Sequence, residues 1–330
     1  MLDGILIIDK PAGLTSHDVV ARARRILMER RVGHTGTLDP FATGVLVVMV
    51  GRATRLAQFL SNAAKEYEAT IRFGYATTTG DATGARLDSP ATQNENGARV
   101  QTWSGQEIEA ALASLRGEIE QVPPMYSAKK IQGQKLYELA RRGLEIERAP
   151  VRVTIHELEA VPGDADGSFL RQDEDGFALL SIRVVCSAGT YIRTLAESIG
   201  ERLGTTAHLS ALRRTRAGDF KIEQALGLED LKAKVEAEGA AGKADALRDF
   251  ILPMNAALQG LPFVHLTADE ARRALNGIAL RLDAGMKIEW RDNEPVRMLE
   301  MDGQLIAIGF YDAASKSLRP RVVFSSENKH

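Results

Sequence analysis

The strongest constraint in this chain is the run Val45-Leu-Val-Val-Met-Val50, in which every side chain is apolar. Its length suits a strand better than a helix, and β-branched valine dominates. The run therefore predicts a strand buried on both faces at the centre of a sheet. Directly before it lies a polar, glycine-punctuated loop, Gly33-His34-Thr35-Gly36-Thr37-Leu38-Asp39-Pro40. A strand confined to the core holds the residues at its mouth rigidly, which is what a catalytic group needs.

Other elements arrange themselves around this strand. Gly4 to Ile8 reads as a short buried strand closed by the turn Lys10-Pro11-Ala12-Gly13. Thr15 or Ser16 caps a helix to about Glu29, with Val19, Val20, Ala23, Ile26 and Leu27 as its apolar stripe. A helix is expected around Ala53 to Ala63. Tyr67 to Phe73 then alternates Tyr67, Ala69, Ile71 and Phe73 against polar neighbours, a strand with one buried face. Thr77 to Ser104, rich in Gly, Thr, Asn and Asp, reads as a long mobile excursion. Ser104-Gly-Gln-Glu107 is a capping box that opens a helix to about Leu115.

Beyond Pro123-Pro124, a helix is expected near Leu136 to Arg142. Strands at Val151 to Leu158 and Phe177 to Val185 flank an acidic loop like a hairpin. Thr190 to Leu203 reads as a helix and Leu209 to Arg216 as a strand, followed by helices near Leu228 to Glu236 and Ala244 to Ala257. After Leu261-Pro262 the pattern changes. Thr267-Ala-Asp-Glu270 caps one helix, and Gly277, Gly285 and Gly303 punctuate short strands such as Gln304 to Tyr311 and Arg319 to Phe324. A chain of 330 residues exceeds what one core organises, so two domains are expected, residues 1–256 and a small β-rich 257–330.

One cysteine, Cys186, excludes an internal disulfide framework and a multi-cysteine zinc site, and suits a reducing cytoplasm. No run of about 18 apolar residues occurs, so neither a signal peptide nor a membrane span is expected. The net charge of −2 argues mildly against a nucleic-acid partner, but the charge is segregated. Lys129, Lys130, Lys135, Arg141, Arg142, Arg148 and Arg152 face only three glutamates between 129 and 152, and Arg213, Arg214, Arg216 and Lys221 form a second basic knot. A phosphate backbone responds to local potential more than to net charge, although solvated faces explain either cluster taken alone.

The loop before the central strand carries one carboxylate, one imidazole and several hydroxyls. Neither GxxxxGK[ST] nor GxGxxG is present, so it is not a phosphate loop; no GxSxG supports a serine nucleophile. The six histidines never pair at ligand spacing, and no metal is expected. A metal-dependent nuclease would need clustered carboxylates, and Asp39 has no acidic neighbour in sequence. Taken alone, Asp39 before Pro40 would be read as a turn cap.

Gly33 to Leu46, GHTGTLDPFATGVL, resembles the catalytic motif of the TruB family, the bacterial tRNA pseudouridine-55 synthases. Four further blocks resemble the same family in the same order: Asp9 to Asp18 (DKPAGLTSHD), Lys65-Glu66-Tyr67, Pro123 to Lys130 (PPMYSAKK), and Gly189 to Thr194 (GTYIRT) followed by His208 to Arg214. Together they span about residues 4 to 225. The resemblance implies an α+β pseudouridine-synthase fold: a large mixed, mainly antiparallel sheet flanked by helices and loops, with a small C-terminal β-rich PUA-like domain. That last likeness rests on Leu266 to Glu270, Leu275-Asn-Gly277, Gly303 to Gly309 and Arg319-Pro320.

The resemblance also implies roles. Asp39 matches the catalytic carboxylate, which either attacks C1′ of the target uridine or helps remove the 2′ proton to give a glycal. Arg193 matches its cationic partner and is expected to lower its pKa and orient it. Tyr67, by periodicity a core residue, matches the aromatic that stacks on the extruded base and takes the C5 proton. Tyr191 and the backbone of Leu212 match base contacts, and His34 a contact to the neighbouring pyrimidine. Lys10 and Pro11 match a supporting layer beneath the loop. Residues from about 124 to 150 match an RNA-gripping thumb, with Lys129, Lys130 and Arg142, and beyond it Arg213 and Arg214, on the RNA backbone. The implied partner is the T-stem-loop of tRNA, bound by a cytoplasmic monomer without cofactor, metal or obligate protein partner.

Overall fold

The computed structural model describes residues 2–87, 102–127, 129–131, 133–144, 146–163, 167–247, 250–282 and 289–324. Half of the expected excursion, residues 88–101, lies outside them; in the described part Ala76 and Thr77 pair with Leu87 and Arg86. In chain order the large sheet is built from β1 (Gly4–Lys10), β2 (Val32–Thr35), β3 (Thr43–Val50), β4 (Lys65–Phe73), β5 (Gly117–Gln121), β6 (Val151–Val161), β7 (Ala178–Cys186), β8 (Ala207–Ala217) and β9 (Ile251–Leu252). Its main path runs β9-β1-β3-β8-β4-β7-β6-β5, with β2 also on β3. All pairings on this path are antiparallel except β3 with β8. Helices α1 (Ser16–Leu27), α2 (Gly105–Ala113), α3 (Ile192–Arg202) and α4 (Leu228–Ala246) flank it.

The all-apolar strand is explained by what covers each face. Leu46, Val48 and Val50, with Leu6 and Ile8, pack against Val19, Val20, Ala23 and Leu27 of α1 and Leu228 and Leu231 of α4. Val45, Val47 and Met49, with Ile5 and Ile7, point the other way, toward Leu299, Leu305, Ile308, Val322 and Phe324. Alternation of period 2 puts successive side chains on opposite faces, and neither face of β3 meets water.

Those last residues belong to a second sheet of five strands, ordered β10 (Phe263–His265), β12 (Pro295–Leu299), β13 (Leu305–Asp312), β14 (Ser317–Val323) and β11 (Leu280–Arg281). Helix α5 (Ala268–Leu275) opens with the expected Thr267/Glu270 capping box and buries Ala271 and Ala274 against that sheet. The sheet is also tied to the larger one by polar contacts: Arg55 donates to the Val323 carbonyl, and Arg52 to that of Phe324.

Three expectations need correction. The two helices after Leu228 are one, α4, because the Ala/Glu/Lys-rich run is a strong helix former and two glycines at about 1 kcal/mol each do not break it. Where the second helix was expected, Ile251–Leu252 adds an edge strand to β1, and Pro253 prevents helical continuation. Part of the supposed loop is also a strand: Val32–Thr35 pairs with Val50–Val47, so His34 stands on an edge strand.

Candidate active site

Strand β3 has one edge shared by two partners. Val47 to Val50 pairs with β2, while Thr43 and Gly44 pair in parallel with Arg213 and Arg214 of β8. The connection from β2 to β3, residues 36–42, must leave the sheet where one partner gives way to the other. It carries Asp39. Gly44 makes the crossing possible: its φ is +100°, and a Cβ there would lie 2.2 Å from the Arg214 carbonyl oxygen.

The loop is fixed from below and from the side. Lys10, fully buried, donates from Nζ to the carbonyls of Pro11 (2.8 Å), Pro40 (3.1 Å) and Ala42 (2.6 Å). Burial lowers its pKa to about 8, opposed chiefly by Asp39. Ser16, at the start of α1, exchanges two hydrogen bonds with the backbone of Leu38. Gly13 N–H donates to Pro40 at 2.8 Å, and Pro11 itself is exposed.

Arg193 meets Asp39 from the first turn of α3. Its Nε lies 2.9 Å from Oδ2 and its Nη2 donates to Oδ1 at 3.1 Å, a two-pronged pairing that fixes the carboxylate plane. The remaining donors reach the carbonyls of Thr79 (2.8 Å) and Tyr126 (2.7 Å), and Nη1 lies 3.7 Å from Asp81 Oδ2. The arginine side chain is 5% exposed and that of Asp39 31%. Burial raises the pKa of Asp39 above the ordinary carboxylate value; Arg193 opposes this and Asp81 reinforces it. Arg193 thus lowers it, as expected, but the net displacement is upward. Desolvation outweighs the pairing.

A cavity of about 230 Å³ opens beside Asp39, and Tyr67, Tyr191, Leu212, Lys129 and Arg214 are among the residues lining it. The volume lies just below the roughly 300–1,000 Å³ of small-molecule sites and suits one base better than a large ligand. Tyr67 is buried, and burial raises the pKa of its phenol, with the Arg214 guanidinium pulling the other way. Tyr191 is the N-cap residue of α3; its N–H donates to Gln121 Oε1 at 2.9 Å, and Gln121 Nε2 donates to its carbonyl at 3.3 Å.

Several expected residues stand elsewhere. Arg214, read as a phosphate contact, is 1% exposed and donates to the carbonyls of Val45 and Gly36, so it braces the loop from within. Arg213 is half-exposed but pairs with Asp9 through two bonds of 3.1 and 2.7 Å. Arg142 is exposed; the side chain of Lys130 lies outside the described residues. His34 is not among the lining residues. Its ring meets that of His17 edge-on at 5.3 Å, and burial, His17 and Arg214 lower its pKa to about 4.

Residues that the sequence did not single out complete the arrangement. Asp81, 4% exposed, accepts from Thr79 Oγ1, Thr83 N and Thr83 Oγ1 and faces Arg193. It supplies the acidic neighbour that the local sequence around Asp39 lacks; the run of threonines around Gly80-Asp81 was its only local signal. Gln121 is likewise a buried polar group whose partner, Tyr191, lies far away in sequence. Among the described residues no group of three or more His, Cys, Asp or Glu could hold a metal.

The same architecture occurs in solved structures. One, titled "Crystal Structure of a Cbf5-Nop10-Gar1 Complex", matches with a TM-score of 0.69 and 29% identity over 98% of this chain and 85% of the other. A second, "Structure of H/ACA RNP bound to a substrate RNA containing 2'-deoxyuridine", matches with a TM-score of 0.67 and 28% identity over 98% and 85%. Among curated proteins, the tRNA pseudouridine synthase B of Geobacillus thermodenitrificans is 44% identical over 93% of this chain and 91% of its own length. The fold and site thus define an isomerase of the pseudouridine-synthase class. Residues 24–192 match the N-terminal domain of the TruB family pseudouridylate synthases, and residues 193–259 match the tRNA pseudouridylate synthase B C-terminal domain. The chain belongs to the TruB family.

Proposed function

We propose that this enzyme converts uridine to pseudouridine at position 55, in the T-loop of tRNA, with Asp39 as the essential carboxylate. The observation that carries the reading is the Asp39–Arg193 pair at the wall of a base-sized cavity lined by two tyrosines. The name of the Geobacillus relative supports tRNA as the substrate, and the RNA-bound structure supports RNA as the class of ligand. The target base must leave its stack to reach the cavity.

The reaction breaks N1–C1′, turns the freed uracil, and joins C5 to C1′; C5 loses a proton and N1 gains one. Ionised Asp39 serves in either of two routes, adding to C1′ or assisting removal of the 2′ proton to give a glycal. Arg193 holds both carboxylate oxygens, so the oxygen that acts does so from a fixed position. Tyr67 stacks on the base and, in the phenolate form that the Arg214 guanidinium favours, accepts the C5 proton. Tyr191 and the backbone of Leu212 hold the base edge, and His34 meets the neighbouring nucleotide. Lys10 and Pro11 support the catalytic loop.

In this reading residues 124–150 grip RNA through Lys129, Lys130 and Arg142, and the β-rich 257–330 is a PUA-like RNA-binding domain apart from the catalytic 1–256. Arg214 is reassigned from phosphate contact to positioning residue. The enzyme works in the cytoplasm as a monomer. Among the described residues no helix is long and apolar enough to cross a membrane.

The test is Asp39→Asn. Tritium release from 5-tritiated uridine in a tRNA transcript should disappear while tRNA binding persists. Turnover above roughly 1% of wild type would contradict the assignment, because losing a group essential to the chemistry costs several powers of ten.

A further inference from the structure

Part of the positive charge legible in the sequence is withdrawn from solvent or neutralised. Of the second basic knot, Arg213 pairs with Asp9, Arg216 with Glu66, and Arg214 is buried. Along the second half of α1 and just beyond it the reverse holds. Arg22, Arg24, Arg25, Arg30 and Arg31 fall within ten residues and are all exposed. Two carboxylates accompany them: Asp18 caps the helix start beside Arg22, and Glu29 lies against Arg31. Arg24 donates to the Val32 carbonyl. Among the described residues, no ion pair engages Arg25 or Arg30.

This helix starts at the active site. Ser16 is hydrogen-bonded to Leu38 of the catalytic loop, and His17 touches His34 edge-on. From His17, Arg22 stands about 8 Å and Arg25 about 12 Å along the axis, at 1.5 Å per residue. The apolar stripe Val19, Val20, Ala23 and Leu27 faces the core, which turns the arginines outward. Met28, 79% exposed and in the left-handed conformation, then turns the chain back into β2. The result is a line of cations running outward from the loop that bears Asp39.

We propose that this arginine face of α1 is an RNA-binding surface that holds the phosphate backbone of the substrate flanking the extruded nucleotide, and that Arg22, Arg25 and Arg30 are its main contacts. The inference rests on the reading of the enzyme as acting on a structured RNA. Guanidinium groups suit paired phosphate oxygens, and Arg25 and Arg30, which no ion pair engages among the described residues, need not give one up to bind them.

The test uses the full chain and a full-length tRNA transcript, with Kd measured across KCl concentrations. The triple variant R22Q/R25Q/R30Q should bind about tenfold or more weaker and lower the slope of log Kd against log salt by roughly 2–3, near one per phosphate contact. Single-turnover tritium release at saturating RNA should be unchanged, since no reacting atom is touched. R22K/R25K/R30K should restore most of the slope. An unaltered slope in the glutamine variant, or a lysine variant as defective as it, overturns the proposal. If wild type itself releases no tritium, the functional reading fails instead, and the two failures are distinguishable.

Discussion

Replacing Arg193 by Met tests the central pair most sharply, because it keeps an unbranched apolar stem and removes every donor. The guanidinium is 5% exposed and holds Asp39 through contacts of 2.9 and 3.1 Å. At an effective dielectric of about 20, unit charges about 4 Å apart attract by ~4 kcal/mol. Losing that stabilisation of the ionised carboxylate corresponds to about a thousandfold in rate. The sign of the pH effect follows from the wild-type balance. Burial already raises the pKa of Asp39, Asp81 pushes the same way, and Arg193 is the first-ranked opposing influence. Without the arginine, the acid limb of the pH–rate profile must move to higher pH. The assay is single-turnover tritium release from a 5-tritiated transcript over a pH series, with the double variant Asp39→Asn/Arg193→Met as control. Because both residues act as one unit, the double variant should be little worse than Asp39→Asn alone. An acid limb that stays in place, or a rate within tenfold of wild type, would refute the reasoning.

Two further outcomes follow from the structure. His34 has a pKa of about 4 in the fold against 6.5 in a free chain, so the unfolded state binds its proton more readily. Its contribution to stability is present above pH ~6.5 and is lost as pH falls toward 4, by up to ~3 kcal/mol, and His34→Gln should flatten that part of a urea-derived stability curve. A wild-type curve already flat there would contradict the burial argument. Gly44→Ala places a methyl 2.2 Å from the Arg214 carbonyl at φ +100°, and urea titration should show a loss of about 3 kcal/mol or more; a loss under ~1 kcal/mol would mean that β3 and β8 separate freely.

The local signals in the sequence were reliable where a residue interacts with its near neighbours. The caps expected at Ser104 and Thr267 form, and of the two candidates for the first helix Thr15 is the cap. The alternation of β4 and the unbroken apolar run of β3 appear as strands at the expected places. Errors arose where distant residues decided the outcome. Val32–Thr35 is polar and glycine-bearing, yet becomes a strand because β3 offers it an open edge. Arg214 looks like a surface cation in a basic run, yet pairing with Gly44 and Tyr67 draws it inside.

By itself the chain of residues determined the central buried strand and the helix starts, since each depends on side-chain periodicity or on hydrogen bonds three residues apart. Only the tertiary structure decided which charges are spent and which remain. It set Asp81 against an arginine 112 positions away, turned Arg213 toward Asp9, and left Arg25 and Arg30 without an ion pair among the described residues. Electrostatic partnership depends on separation in space and on access to water, and neither quantity is encoded in the order of residues along one segment.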